Sequence, residues 1–403
     1  MLRPMSKRTD RFDPPDSPAS VGWTEAQSVR LVEPDAPLKL ESGGRLAPLD
    51  VEYETYGTLN AARDNAVLVA HALSGDAHAA GWDRHATSTG RFYRAEVPGW
   101  WDTMIGPGKP IDTNRFFVLC ANVPGGCYGT TGPCTINPAT GRAYGVTFPT
   151  VTVGDWVRVQ ALLLDRLGIA RLRAVVGGSL GGQQALEWAL AYPGRVERAV
   201  VLAASARLSA QALGFNAVGR YSIVHDPDFA EGAYYAPVKA HHRGLAAARM
   251  LAHITYLADI GMDRKFGRRR RAKAEPQPNF GIEFEVESYL DYQGRKFVQR
   301  FDANSYLYIT RAMDYYDAAG QWGGGDLVKA CRRVRSRVMV VSFSSDWLYP
   351  PAECKALALA LCRAGRPVTY ANVPSEAGHD AFLVETEKVG RLLRPFLALE
   401  NPA

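Results

Sequence analysis

The chain has little of what marks a membrane, secreted or zinc-binding protein. Its apolar runs, such as Ala199–Ala204 and Val338–Val341, are far shorter than the roughly 20 residues that cross a bilayer. Residues 1–22 lack the apolar centre of a secretory signal, so we expect them to form a disordered or loosely docked tail. Three of the six cysteines are spaced seven apart, unlike the close CxxC pairs of zinc sites. We therefore expect a cytoplasmic protein with reduced thiols, no metal and no membrane association.

Excess charge is also limited, because the net charge is only +6 over 403 residues. Part of it lies in Arg268–Arg271 and Lys273, ahead of the loop-like residues 274–279. The pattern favours a solvated surface loop. A nucleic-acid patch, or a site for the phosphates of a nucleotide-bearing substrate, is the alternative. The run has no interleaved aromatic residues and no nucleic-acid motif, so we expect no nucleic-acid partner.

Short apolar runs rich in Val, Leu and Phe predict buried parallel strands. Six of them are Ala66–His71, Phe116–Ala121, Ala174–Gly177, Ala199–Ala203, Val338–Phe343 and Val368–Val373. Residues 151–167 and 183–192 space their apolar side chains three and four apart, which predicts amphipathic helices. Alternating strands and helices indicate the α/β class, with a mostly parallel central sheet flanked by helices.

One long segment breaks this alternation. Residues 207–325 are helix-like, rich in Tyr and Arg, and interrupted by Pro and Gly. The strand pattern resumes at Val338, so the segment is inserted between two strands of the same sheet. We predict a core made of residues 23–206 and 326–403 and an inserted helical lid made of residues 207–325.

The strongest chemical signal is Gly177-Gly178-Ser179-Leu180-Gly181, a Gly-x-Ser-x-Gly motif between a predicted strand and a predicted helix. In that context the serine sits on a sharp turn that exposes its hydroxyl. The alternative is a glycine-rich turn with an incidental serine, which the flanking strand and helix disfavour. Ser179 is therefore the predicted nucleophile, and the Leu180 N–H at the helix start is a candidate oxyanion donor.

A serine nucleophile needs a base to remove its proton. Of the eight histidines, His379 lies in a loop directly after the last predicted strand, where the α/β-hydrolase fold places its base. Asp346 follows the preceding strand and completes the chain order Ser, Asp, His, although it could also be an ordinary turn residue. The Leu73 N–H, in the loop after the first predicted strand, is the second candidate oxyanion donor.

A triad of this kind indicates acyl transfer through a covalent intermediate and nothing more specific. Further motifs resemble the homoserine O-acyltransferase family of methionine biosynthesis over about residues 31–399. These are His71-Ala-Leu-Ser-Gly-Asp-Ala-His78, Asn122-Val-Pro-Gly-Gly-Cys-Tyr-Gly-Thr-Thr-Gly-Pro133, Gly177-Gly-Ser-Leu-Gly-Gly182, Gly244-Leu-Ala-Ala-Ala-Arg-Met250, Asp302-Ala-Asn-Ser-Tyr306, Ser345-Asp-Trp-Leu-Tyr-Pro350 and Gly378-His-Asp380.

The resemblance implies a ping-pong reaction in which acetyl-CoA, as co-substrate, acylates Ser179 and L-homoserine then takes the acyl group. It implies that Arg249 binds the carboxylate of homoserine and that Asp380 binds its ammonium group. It also implies a homodimer without a bound cofactor. The lid would cover the triad and limit water, which favours transfer over hydrolysis.

The acyl donor and the acceptor each have alternatives. In the resembling family, the position two residues after the triad aspartate is associated with the choice between acetyl-CoA and succinyl-CoA. Here it is Leu348, which offers no charge to the distal carboxylate of a succinyl group and so favours acetyl. Leu73-Ser74-Gly75 differs from the Leu-Ser-Pro of serine acyltransferases on the same fold. The remaining alternatives are succinyl transfer, serine acylation and an esterase, whereas the intact triad disfavours a silent binding protein.

Overall fold

An eight-stranded sheet forms the centre of the computed structural model, which describes residues 12–88, 91–235, 242–271 and 280–398. The strands are β1 (Gln27–Val32), β2 (Leu49–Tyr56), β3 (Ala66–Ala70), β4 (Phe117–Ala121), β5 (Ala174–Gly178), β6 (Arg198–Leu202), β7 (Arg337–Phe343) and β8 (Val368–Val373). They lie in the order β1-β2-β4-β3-β5-β6-β7-β8. Strand β2 runs antiparallel to both of its neighbours, and the pairs from β4 to β8 are parallel.

All six predicted strands are present, each within one or two residues of the predicted bounds, so the mostly parallel sheet is confirmed. The prediction omitted β1 and β2. Their sequences are not apolar runs, because β1 lies at the sheet edge and is largely exposed, and β2 carries the buried carboxylates Glu52 and Glu54. Those carboxylates are neutralised by partners distant in sequence, such as Arg91 on Glu52.

Helices cover both faces of the sheet. Alternate residues of β3 point to opposite sides, with Leu68 in one apolar cluster and Val67 and Val69 in the other. This is the two-residue period of an extended strand. The helices of the core are α1 (Val153–Arg166), α2 (Leu180–Ala191), α9 (Leu327–Cys331), α10 (Pro351–Arg363), α11 (Ala381–Val384) and α12 (Thr386–Ala398). The predicted helices at 151–167 and 183–192 correspond to α1 and α2.

The inserted segment between β6 and β7 is helical, as predicted. It contains α3 (Ala210–Val224), α4 (Arg243–Tyr256), α5 (Asp259–Lys265), α6 (Glu285–Val298), α7 (Ala303–Tyr315) and α8 (Ala318–Gly323). Its two ends meet where the Ala318 N–H donates to the carbonyl oxygen of Ala206 at 2.9 Å. Beside this bond, the backbones of Arg207 and Asp317 form an isolated antiparallel β-bridge. The insertion therefore leaves and rejoins the core at one place. We call it the lid.

Two further predictions concern the surface. Residues 12–22 lie against the core, where Trp82 Nε1 donates to the carbonyl oxygen of Asp13 at 3.0 Å and Ser20 is buried. This part of the predicted tail is docked rather than disordered. Residues 268–271 of the basic run are exposed, and Arg270 forms an ion pair with Glu283 at 2.9 Å. Lys273 and residues 274–279 lie outside the described residues. Within the described residues, no helix is long and apolar enough to span a bilayer.

Candidate active site

Ser179 occupies a strained turn between β5 and α2. Its φ of 57° and ψ of −124° are unusual for a residue with a side chain. The turn is so tight that a Cβ on Gly177 would collide with the backbone of Gly181, and one on Gly181 would collide with Ala70. The Ser179 N–H donates to the Leu202 carbonyl oxygen at 2.9 Å, which ties the turn to β6. The local sequence thus fixes the serine at the end of a strand and the start of a helix.

His379 joins Ser179 and Asp346 into one hydrogen-bonded chain. Its Nε2 lies 2.8 Å from Ser179 Oγ, and its Nδ1 lies 2.8 Å from Asp346 Oδ2. The other carboxylate oxygen of Asp346 accepts the N–H groups of Leu348 at 3.0 Å and Tyr349 at 2.9 Å. Ser179, Asp346 and His379 are all buried. This is the arrangement in which a carboxylate orients an imidazole toward a nucleophile.

The sheet explains why these three residues meet. Ser179, Asp346 and His379 follow β5, β7 and β8, and the carboxyl ends of parallel strands lie at the same edge of a sheet. Ser179 and His379 are 200 positions apart in the chain. The loop of His379 is held by Gly378, whose N–H donates to Ser345 Oγ at 3.0 Å and whose φ of 67° suits glycine.

The pKa of His379 is set by opposing influences. Burial disfavours its charged form, but the charge and hydrogen bond of Asp346 outweigh burial and raise the pKa of His379 above 6.5. The ring stacks on Tyr349, with ring centroids 5.2 Å apart, and faces Tyr256 at 5.9 Å. These rings fix the plane of the imidazole and shield it from water.

Both candidate oxyanion donors lie beside the serine. Leu180 is the first residue of α2, so its N–H belongs to the unpaired donors of a helix start. Leu73 is the second residue of a turn closed by the Gly75 N–H, which donates to Ala72 O at 3.0 Å. The N–H of the second turn residue takes no part in that closing bond. Leu73 and Ser179 line the same cavity.

That cavity lies between the core and the lid. Core residues at its wall include Leu73, Ser179 and Leu348, and the lid supplies mainly apolar and aromatic groups. The lid residues are Leu208, Ala212, Phe215, Asn216, Ala248, Leu251, Ala252, Thr255, Tyr256, Tyr306 and Met313. The uncharged side chain of Leu348 therefore faces the same space as the serine hydroxyl.

Arg249 and Asp380, the predicted substrate-binding residues, share the electrostatic environment of the triad. The Arg249 guanidinium lies over the rings of Phe297 at 4.6 Å and Tyr256 at 5.5 Å, and its Nη1 reaches Ser74 Oγ at 3.4 Å. Burial lowers the pKa of Arg249 and raises the pKa of Asp380. Each residue's charge opposes that shift in the other. Among the residues that the structure describes, neither Arg249 nor Asp380 forms an ion pair.

Three residues near the triad were not predicted. Tyr256 connects Arg249 to His379 through its ring, and Arg300 Nη1 donates to the Ser74 carbonyl oxygen at 3.0 Å. Gln184 Nε2 donates to the carbonyl oxygen of His71 at 3.1 Å, which ties α2 to the loop of Leu73. For two of them the sequence offered only neighbouring motifs, since Arg300 lies two residues before Asp302–Tyr306 and Gln184 lies two residues after Gly182.

The sheet order, the strained serine and its hydrogen-bonded histidine define an α/β-hydrolase-fold protein. The sequence pattern of the alpha/beta hydrolase fold family matches residues 65–386, in agreement. A homoserine O-acetyltransferase from Bradyrhizobium diazoefficiens is 51% identical over 90% of this chain and 88% of its own length. A homoserine O-succinyltransferase from Bordetella petrii is 49% identical over 96% of this chain and 91% of its own length. The chain belongs to the homoserine O-acyltransferase family.

Solved structures agree on the fold. Homoserine O-acetyltransferase from Bacillus anthracis has a TM-score of 0.85 at 28% identity, covering 94% of this chain and 99% of that protein. Esterase E22 has a TM-score of 0.82 at 30% identity, covering 93% of this chain and all of that protein. One architecture therefore serves both transfer and hydrolysis, so the reaction has to be argued from the site.

Proposed function

We propose that this protein is a homoserine O-acetyltransferase that moves the acetyl group of acetyl-CoA to the hydroxyl of L-homoserine through an acetyl-Ser179 intermediate. The observation that carries the proposal is the chain Asp346–His379–Ser179 with two largely buried charged residues near it, Arg249 and Asp380, which form no ion pair within the described ranges of the chain. An α-amino acid offers a carboxylate and an ammonium group to match them.

In the first half-reaction, Ser179 Oγ attacks the thioester carbonyl while its proton passes to His379 Nε2. The negative charge that forms on the carbonyl oxygen is stabilised by the N–H groups of Leu180 and Leu73. The carbon–sulfur bond then breaks, and the leaving CoA sulfur takes the proton from His379. Asp346 stabilises the imidazolium and need not accept its proton.

In the second half-reaction, the hydroxyl of homoserine gives its proton to His379 and attacks the acetyl-Ser179 ester. The same two N–H groups stabilise the second oxyanion. The bond between Ser179 Oγ and the acetyl carbon breaks, and His379 returns the proton to Ser179. Transfer prevails over hydrolysis if the lid keeps water from the ester, which the buried triad and the aromatic lining favour.

Selection of the acceptor is assigned to Arg249 and Asp380. A guanidinium binds a carboxylate with charge-assisted hydrogen bonds, and a carboxylate does the same for an ammonium group. Both side chains are at least half buried, so an unpaired charge is costly there and a ligand charge relieves that cost. An alcohol that lacks either charge would leave one of these residues uncompensated.

Selection of the donor is assigned to Leu348. Relatives named for acetyl and for succinyl transfer match this chain almost equally, at 51% and 49% identity, so overall similarity does not choose between them. Leu348 lines the cavity beside Ser179 and offers no charge to a distal carboxylate. A succinyl group would therefore lose hydration without gaining a partner, which favours acetyl.

The deciding experiment measures CoA release from acetyl-CoA and from succinyl-CoA, each with L-homoserine, L-serine, 3-aminopropan-1-ol or no acceptor. We expect sustained release only with acetyl-CoA and L-homoserine. 3-Aminopropan-1-ol keeps the hydroxyl and amine of homoserine but lacks its carboxylate, so it isolates the contribution assigned to Arg249. A preference for L-serine or succinyl-CoA would reassign the acceptor or the donor and leave acyl transfer intact.

The Leu348→Arg variant tests the donor argument directly. We expect its kcat/KM ratio of succinyl-CoA to acetyl-CoA to rise, because the new guanidinium can pair with the distal carboxylate. Leu348→Met is the matched control, since it changes shape without adding charge. An unchanged ratio in Leu348→Arg would place donor selection elsewhere in the cavity.

Hydrolysis is the second candidate function, favoured by the likeness to esterase E22. A hydrolase would release CoA or an alcohol at the same rate with or without homoserine. The acceptor-free arm of the same assay therefore separates the two reactions. The homodimer, the cytoplasmic location and the absence of a bound cofactor or metal remain predictions from sequence.

A further inference from the structure

We infer that Arg300, a lid residue, is a positioning residue that holds the Leu73 oxyanion donor in place through the carbonyl group of Ser74. The inference rests on the proposed function only in that Leu73 stabilises an oxyanion during acyl transfer. It concerns the loop of residues 71–78, which we call the oxyanion loop.

The two ends of the oxyanion loop are held by the core. At its start, the His71 carbonyl oxygen accepts Gln184 Nε2 at 3.1 Å. Toward its end, the Asp76 carboxylate pairs with Arg94 at 2.9 Å, and its carbonyl oxygen accepts Trp100 Nε1 at 2.9 Å. These contacts fix the loop on both sides of Leu73 and Ser74.

The middle of the loop is held by the lid. In the described part of the chain, the two hydrogen bonds that Ser74 accepts from side chains both come from lid arginines. Arg300 donates to its carbonyl oxygen at 3.0 Å, and Arg249 donates to its hydroxyl at 3.4 Å. The peptide group between Ser74 and Gly75 is thereby bonded at both ends, since the Gly75 N–H closes the turn onto Ala72. The acceptor of that bond, the Ala72 carbonyl, belongs to the same peptide group as the Leu73 N–H. The orientation of the Leu73 N–H therefore depends on the position of the peptide between Ser74 and Gly75.

The two arginines differ in how firmly they are held. Arg300 also donates to Tyr128 Oη at 2.6 Å and lies 5.2 Å from the centre of the Phe297 ring. Its charge also acts on Asp76 at the end of the same loop. Arg249, by contrast, makes a longer contact to the Ser74 hydroxyl at 3.4 Å and lies over the rings of Tyr256 and Phe297. Arg300 is thus suited to hold the loop, whereas Arg249 is free to turn toward a carboxylate.

The test compares Arg300→Gln with wild type in single-turnover acetylation and deacetylation of Ser179. Removal of an oxyanion donor costs about 100- to 1000-fold in rate, so a displaced donor should slow both half-reactions by about 10- to 100-fold. KM for acetyl-CoA and for homoserine should change little. Arg300→Lys keeps a donor and should recover part of the rate. It also serves as the variant for every measurement if Arg300→Gln does not fold.

Infrared spectra of the acyl-enzyme give a readout that a purely structural role would not move. With ¹³C-labelled acetyl-CoA and no acceptor, the ester carbonyl band of acetyl-Ser179 should shift to higher wavenumber in the variant, because its hydrogen bonding is weaker. Tyr128→Phe removes the other acceptor of Arg300 but leaves the Ser74 contact, so it should shift the band in the same direction by a smaller amount. An unmoved band in Arg300→Gln, or an effect confined to KM for homoserine, would overturn the inference.

The same samples separate this inference from the proposed function. If wild type forms no acetyl-enzyme, the proposed function fails. If wild type forms it and Arg300→Gln matches wild type in rate and carbonyl band, only the role of Arg300 fails.

Discussion

The core and the lid bring different kinds of charged groups to the surroundings of the triad. The core holds two ion pairs there, Asp346 with His379 and Arg94 with Asp76. The lid arginines Arg249 and Arg300 instead face rings and a neutral backbone loop of the core. The core thus holds the triad, whereas the lid supplies two cations that contact the oxyanion loop. Loss of the nucleophile and loss of the arginine assigned to the acceptor carboxylate should therefore have separable effects.

The largest effect is expected for the core nucleophile. Ser179→Ala should lower homoserine-dependent CoA release by about 10⁴-fold or more, because no covalent intermediate can form. Mass spectrometry after incubation with acetyl-CoA should show no added acetyl group. Ser42→Ala, at an exposed serine, is the control and should keep full activity. An acetylated Ser179→Ala protein would disprove the assignment of the nucleophile.

A smaller and different effect is expected for the lid. Arg249→Gln should raise KM for homoserine by about 10- to 100-fold, the loss of one charge-assisted interaction, while acetylation of Ser179 by acetyl-CoA keeps its rate. Turnover of 3-aminopropan-1-ol should be the same in variant and wild type. Arg243→Gln, an exposed arginine on the same helix, is the matched control. A slower acetylation step in Arg249→Gln would show that Arg249 also acts in the first half-reaction.

The pH dependence of acetylation tests the effect of the Asp380 charge on the pKa of His379. Neutral His379 is the base, so the rate should fall as pH decreases through a pKa that lies above 6.5. Asp380→Asn should move this limb to lower pH, because the Asp380 charge helps to raise the pKa of His379. Stopped-flow acetylation without acceptor measures the limb in both proteins. Glu376→Gln, at an exposed carboxylate of the same loop, should leave it in place.

The smallest effect concerns stability where the core meets the end of the lid. Burial raises the pKa of Glu187 on α2 to about 8, and its carboxylate accepts Trp322 Nε1 of α8 at 3.0 Å. The folded protein thus keeps a proton that the unfolded chain loses near pH 4.5, so stability should fall as pH rises from about 4.5 through about 8. Glu187→Gln cannot ionise. Its melting temperature should therefore decline less than that of wild type between pH 5 and pH 9, and parallel curves would contradict this account.

Much of the core followed from local sequence. Buried strands such as β5 and β7 are apolar on both faces, and that composition is visible without tertiary information. Strand β2 was missed because Glu52 and Glu54 make it look like a surface segment, although partners from distant loops bury both carboxylates. Partner identity is a property of the fold, so no local pattern could supply it.

Local sequence was enough to predict six of the eight strands, the serine turn and the candidate residues Ser179, Asp346 and His379, because each is marked by a pattern of residues close together in the chain. Folding of the whole chain was needed to show that His379 reaches Ser179 and that Arg300 reaches Ser74, which lies 226 positions away. Hydrogen bonds act over only about 3 Å. Chain folding brings such distant groups within that range, and spacing along the sequence does not report it.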